Sequence, residues 1–171
     1  MDISTLANLI NAIAVTAGVI FAGAQISYYR RRRRRRRDAM LELVRSFQSP
    51  TFSKALRRVM ELPDEASAYE IRKILGPEGE DLLVHLTATW ETIGILLFHR
   101  EFSIDVVDDF FSGPILISWR KLLPYTTDLR QRYQRETWSE WFQWLAERMM
   151  ERESKSPPIP AYVAHREWKK M

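Results

Sequence analysis

About twenty mostly apolar residues, 6–26, lead almost directly into eight consecutive arginines, and this junction constrains the chain more than any other feature. At 1.5 Å per residue an apolar helix of that length spans roughly 30 Å, the hydrocarbon thickness of a bilayer. Basic residues flank membrane helices on the cytoplasmic side. The junction therefore predicts a single-pass membrane helix with its N-terminus outside and everything after the arginines in the cytoplasm. Ala22-Gly23-Ala24 resembles a signal-peptide cleavage site. Against cleavage stand a first segment with Asp2 and no Lys or Arg, and an arginine block that resists translocation.

The arginines also distort the overall charge. The formal net charge is +4, but setting the run's eight aside leaves 18 of 26 basic residues against 21 acidic residues from Asp38 onward. The remainder carries about −3, so a broad basic face on the folded domain is not expected. The chain beyond the arginines is long enough for one compact core. There is no cysteine, which excludes disulfides, thiolate nucleophiles and cysteine metal sites and fits a reducing compartment.

Within the apolar segment Asn11, Ala14, Gly18 and Ala22 recur at spacings of three and four and share one helical face. Small residues let a second helix approach, and an amide hydrogen-bonds across such a contact. Self-association or another membrane protein is one reading of this face; a plain anchor that tolerates small residues is the other. Arg30, Arg31, Arg32, Arg33, Arg34, Arg35, Arg36 and Arg37 cover more than two turns and form a collar around the axis rather than a stripe. A collar suits lipid headgroups, each cation adding on the order of 1 kcal/mol. Arginine binds phosphate in any polyanion, so nucleic acid is the rival partner. Tyr28 and Tyr29 suit an interfacial aromatic belt.

Beyond the collar the pattern is that of amphipathic helices. Met40, Leu43, Val44 and Phe47 give the spacing i, i+3, i+4, i+7, and no Gly or Pro separates them from the membrane segment, so one continuous rod is expected. Ser49-Pro50 predicts a capped second helix with Phe52, Ala55, Leu56 and Val59 buried. Ser67 and Glu70 form a capping-box pattern for a short helix that stops at Gly76-Pro77. Residues 81–98 are apolar on nearly all sides and read as a central helix buried all round rather than a second span, because Glu91 and His85 lie within it. A buried Glu91 needs a partner, and Arg120, also in an apolar run, is the candidate for a structural ion pair.

Ser103 predicts a further cap, followed by an outward face of Asp105, Asp108 and Asp109 that reads as solvated rather than as a cation site. Gly113-Pro114 is expected to start a new helix and Pro124 to kink or restart it. Thr137 and Glu140 form a second capping-box pattern, opening a helix whose Trp138, Trp141, Phe142, Trp144, Leu145 and Met149 belong to a core. A Pro-containing tail closes the chain, with Tyr162 and Trp168 as residues that would dock it. The predicted class is all-α: an N-terminal transmembrane helix continuing into a bundle of about five to seven helices. Its divisions are 1–29 (tail and membrane helix), 30–37 (collar), 38–153 (bundle) and 154–171 (tail).

Several segments carry a resemblance: Met40-Leu41-Glu42-Leu43-Val44-Arg45-Ser46-Phe47, Trp90-Glu91-Thr92-Ile93-Gly94, Val106-Val107-Asp108-Asp109-Phe110-Phe111-Ser112-Gly113, Ser118-Trp119-Arg120-Lys121-Leu122 and Trp141-Phe142-Gln143-Trp144-Leu145. They resemble a family of small bacterial proteins with one N-terminal membrane helix and an all-helical domain of unknown function. The resemblance extends from the anchor to about Met150. It implies the architecture and shared patterns at Glu91, Asp108, Asp109, Trp119 and Arg120, but no catalytic motif. The arginine run looks like an exaggeration of a basic stretch at that place.

Catalytic motifs are missing from the residues as well. The histidines are His85, His99 and His165, and no Glu is followed three residues later by His, as di-iron bundles require. There is no phosphate-binding glycine loop, zinc-protease signature or nucleophile elbow. An enzyme would need a closed polar pocket around Glu91, Arg120 and His85. The sequence therefore predicts no cofactor and no catalysis. It points to a membrane-held adaptor or accessory subunit, with a polyanion tether through the collar as the alternative.

Overall fold

The computed structural model describes residues 2, 15–28, 30, 41, 44–45 and 47–168. Among these the chain is helical without any strand, and it divides into two units, Met1–Val44 and Arg45–Met171. The first contributes α1, Val15–Tyr28. Arg30, Leu41 and Val44 are helical too. The predicted contacts at Asn11 and Ala14, the arginines from Arg31 to Arg37, and the expected continuous rod lie outside the described residues.

The second unit opens with α2, Pro50–Met60. Ser49 Oγ accepts a hydrogen bond from the Phe52 amide at 3.1 Å, and Pro50 at the first position has no amide to satisfy. Phe52, Ala55 and Val59 are buried as their spacing predicts, while Leu56, expected to join them, is half-buried. The next element, α3, Ala68–Phe98, begins with the expected capping box: Ser67 N–H donates to Glu70 Oε2 at 2.8 Å and the Glu70 amide donates back to Ser67 Oγ at 3.3 Å. Gly76 sits at φ 64°, ψ −178°, a region open to glycine alone. The short helix from Ala68 thus ends at Gly76-Pro77 as its sequence predicts, and a second helical segment runs on from there to Phe98 across this kink.

The central segment is not buried all round. Leu83, Leu86, Trp90, Ile93 and Leu97 are buried, while Val84, Ile95 and Phe98 are exposed. Among the described residues α2, α4 and α5 pack on α3, and they do not close its circumference. By length and composition α3 would pass for a membrane span, with a mean hydropathy of 1.3 over its most apolar window. About a third of that window, 33%, is buried inside the bundle.

After a turn in which Arg100 takes a left-handed conformation, α4, Ile104–Tyr133, returns antiparallel to α3. Ser103 Oγ caps it through the Val106 amide at 3.3 Å. The new helix predicted at Gly113-Pro114 does not start there, and one helix runs through both Pro114 and Pro124, so of the kink or restart expected at Pro124 the restart does not occur. The lost amide bonds are outweighed by a buried stripe, Phe111, Ile115, Trp119, Leu122 and Tyr125, that continues across both prolines. Next comes α5, Glu140–Lys155, and then the single turn α6, Ala161–Ala164. The capping box predicted at Thr137 and Glu140 is absent: Ser139 is left-handed, at φ 57°, and makes no side-chain cap. Tyr162 and Trp168 are exposed, so they do not dock the tail.

Trp90 is the hub of the core. Its ring lies 5.4 Å from those of Phe47 and Phe52, 6.3 Å from Phe111 and 6.2 Å from Phe142. One side chain on α3 thereby ties together α2, α4, α5 and the residue that leads the chain into the bundle.

Candidate functional site

An α-helix begins with amides that lack intrahelical acceptors, and the first turn of α5 has no local side chain to satisfy them. The acceptor comes from α3. Glu91 Oε1 accepts from the Phe142 amide at 2.5 Å, so a carboxylate from another helix caps α5. Burial pushes the Glu91 carboxyl above its ordinary range, opposed by the amide hydrogen bonds of Phe142 and Trp141. One turn on, Gly94 makes the approach feasible: a Cβ there would lie 2.5 Å from the Trp141 carbonyl oxygen. Trp90, Glu91 and Gly94 form one surface that packs, caps and admits the start of α5.

Beside this seat lies an open polar groove of about 670 Å³ between α3 and α4, lined among others by Arg72, Glu80, Thr87, Glu91, Tyr125 and Arg132. Arg72 Nη2 donates to Asp128 Oδ2, and its Nε lies 3.4 Å from Glu80 Oε1. The guanidinium also sits 5.0 Å from the centre of the Tyr125 ring. This pairing holds the Asp128 carboxyl below its usual range, while burial raises the Tyr125 hydroxyl. Acidic and basic side chains both line the groove, so it presents no single-sign field to steer a charged substrate.

The structure does not bring Glu91 and Arg120 together. Glu91 is spent on the α5 amides, and Arg120 is exposed, its Nη2 3.4 Å from Asp64 Oδ1. The buried cation in that stretch is its neighbour Lys121, whose Nζ donates to the Leu62 carbonyl and lies 3.1 Å from Asp64. An outward-facing Arg120 and an inward-facing Lys121 follow from one helical step of 100°. Asp105 and Asp108 pair with Arg152 at 2.8 and 2.9 Å, pinning α4 to α5, and Asp109 does not join them. His85 and His99 are exposed. Among the described residues no three His, Cys, Asp or Glu side chains gather where they would hold a metal.

On α1, Gly18 and Ala22 are exposed, and a Cβ added at Gly18 would meet nothing within 4 Å. Arg30 is exposed as well. Sequence reasoning missed the cluster of Arg72, Tyr125 and Asp128. The i, i+3 spacing of Tyr125 and Asp128 was legible, but Arg72 lies 53 residues before Tyr125, and only the packing of α3 on α4 unites them.

The family described as Domain of unknown function (DUF4760) matches residues 12–149. No curated protein and no solved structure matches the chain.

Proposed function

This chain belongs to the DUF4760 family, and from that premise we propose a single-pass protein of a bacterial inner membrane, N-terminus outside and bundle in the cytoplasm. It works by binding, as a non-catalytic adaptor or accessory subunit of a membrane-associated complex. The observation that carries the anchor is the surface of α1: Val15, Val19, Ile20, Phe21 and Ile26 are each more than half exposed, at 54–68%. At 100° per residue they point around the axis rather than to one side, which suits a lipid environment and leaves no polar face for water. The arginine run beyond them supports the orientation. The binding role is supported by the use of the polar side chains: Glu91, Arg72, Lys121 and Arg152 each fasten one element of the bundle to another.

The test uses the absence of native cysteine. Full-length protein carrying Asp2→Cys or Ser154→Cys is expressed in bacteria, extracted with alkaline carbonate and labelled with a membrane-impermeant maleimide in spheroplasts. The expected result is retention in the membrane pellet, labelling of Cys at position 2 from outside, and labelling at 154 only after lysis. Release by carbonate, or the opposite labelling pattern, refutes the anchor. Crosslinking in intact membranes then compares the wild type with an Asn11→Leu, Gly18→Leu variant. A specific partner or self-dimer lost in the variant supports the membrane helix as the binding surface.

A further inference from the structure

The end of the bundle where the chain enters carries an apolar groove of about 490 Å³. Phe47, Leu56, Met60, Phe110 and Pro114 line it, with Arg57 at its edge. Phe110 is 55% exposed, an unusual cost for a phenylalanine in water. Arg57 lines the groove and Lys54 and Arg58 lie farther round α2; all three are exposed and without an ion pair among the described residues. The acidic side chains nearest Phe110 in sequence do not offset them. Asp105 and Asp108 are engaged by Arg152, and Asp109 lines a different groove; Glu61, past the end of α2, is the one carboxylate close in sequence to the three cations.

An apolar patch with one cation at its edge and two more on the same helix has the surface chemistry of a monotopic membrane contact, apolar side chains entering the headgroup boundary and long cationic side chains reaching lipid phosphates. A two-fold copy of the chain is a poorer occupant, because both sides of an isologous contact would present the same three cations with Glu61 as the one nearby carboxylate to meet them. Resting on the anchor reading above, we infer that this face of α2 and α4 docks on the anionic lipid surface of the same membrane, holding the bundle against the bilayer.

The experiment places a fluorophore on Ser53→Cys, a near-isosteric change at the groove, in full-length protein reconstituted into phosphatidylcholine vesicles with and without phosphatidylglycerol. Quenching by spin-labelled lipid headgroups is compared with probes at Val84→Cys, exposed on α3 and lining the polar groove, and at Phe21→Cys in α1. Quenching at 53 should exceed that at 84, should require phosphatidylglycerol, and should fall when Lys54, Arg57 and Arg58 are changed to Gln. Each cation near an anionic surface contributes roughly fivefold, so removing three lowers the docked population by up to about a hundredfold. Equal quenching at 53 and 84, or protection of position 53 by protein contact without lipid quenching, overturns the docking. Quenching at 21 without quenching at 53 leaves the anchor standing and refutes the docking alone. Quenching at 53 without quenching at 21 does the reverse.

Discussion

Removing the carboxylate of Glu91 should loosen α5 without touching its own sequence. In Glu91→Ala the Phe142 amide loses an acceptor held at 2.5 Å, in a place where α5 has no cap of its own. Loss of a helix cap costs about 1–2 kcal/mol, which for a chain of this size lowers the melting temperature by about 2–8 °C. Glu91→Gln keeps an amide oxygen that accepts the same hydrogen bond and removes the charge. It should therefore melt within a degree or two of the wild type at neutral pH, or above it. The pH dependence separates the two further. Burial raises the native Glu91 carboxyl above its unfolded value of 4.5, so between those values the native state binds more protons than the unfolded state. Glu91's contribution is then fully present below 4.5 and is lost as the pH rises through the raised value. The difference in melting temperature, Gln variant minus wild type, should grow across that window and level off above it. Thermal denaturation of full-length protein in detergent, followed by circular dichroism from acidic to neutral pH, reads both effects. If Glu91→Ala melts with the wild type, or Glu91→Gln falls as far as Glu91→Ala, the cross-helix cap is not what seats α5.

Gly94→Ala should cost about 1–3 kcal/mol, because its methyl would meet Trp141 backbone atoms at 2.5 and 3.0 Å that cannot swing aside. Gly113→Ala, also in a helix but with nothing within 4 Å of the added carbon, should instead raise stability by roughly 0.5–1 kcal/mol; equal effects in denaturant melts would refute the close approach. Lys121→Met keeps the aliphatic stem and strands the Leu62 carbonyl, for a cost of about 1–3 kcal/mol. The Asp64 carboxyl, held low chiefly by its hydrogen bond from Lys121, should return toward its ordinary value in an NMR titration of that variant.

Local signals were legible and distant ones were not. Ser49, Ser67 and Ser103 announce their helices because a cap is a three-residue event, and all three hydroxyls accept the amides the spacing predicts. The buried stripe of α2 was equally plain. Pro114 misled because proline carries a local penalty, while the stripe that overrides it draws its energy from α3 and α5. Thr137 and Glu140 misled in the opposite way: the pattern is present, but Glu91, about fifty residues upstream, takes over the capping. The demand of Glu91 for a partner was read correctly and its supplier wrongly, since sequence can count charges but cannot see a backbone amide as the answer.

The segments that carry the family resemblance coincide with these fastenings. Trp90, Glu91 and Gly94 seat the first turn of α5, Phe142 fills the space against Trp90, Asp108 holds Arg152, and Lys121 ties the loop after α2 to α4. A chain whose most recognisable residues are spent on joining helices has its identity written in its frame. Partners must then be met by residues the frame leaves over. On the bundle those include the Phe110 groove, the cations of α2 and the exposed Val84, none of which the packing of the four long helices requires. Substitutions that abolish function by unfolding the protein should therefore cluster at the fastenings, and substitutions that abolish it in a folded protein should cluster on those outer faces.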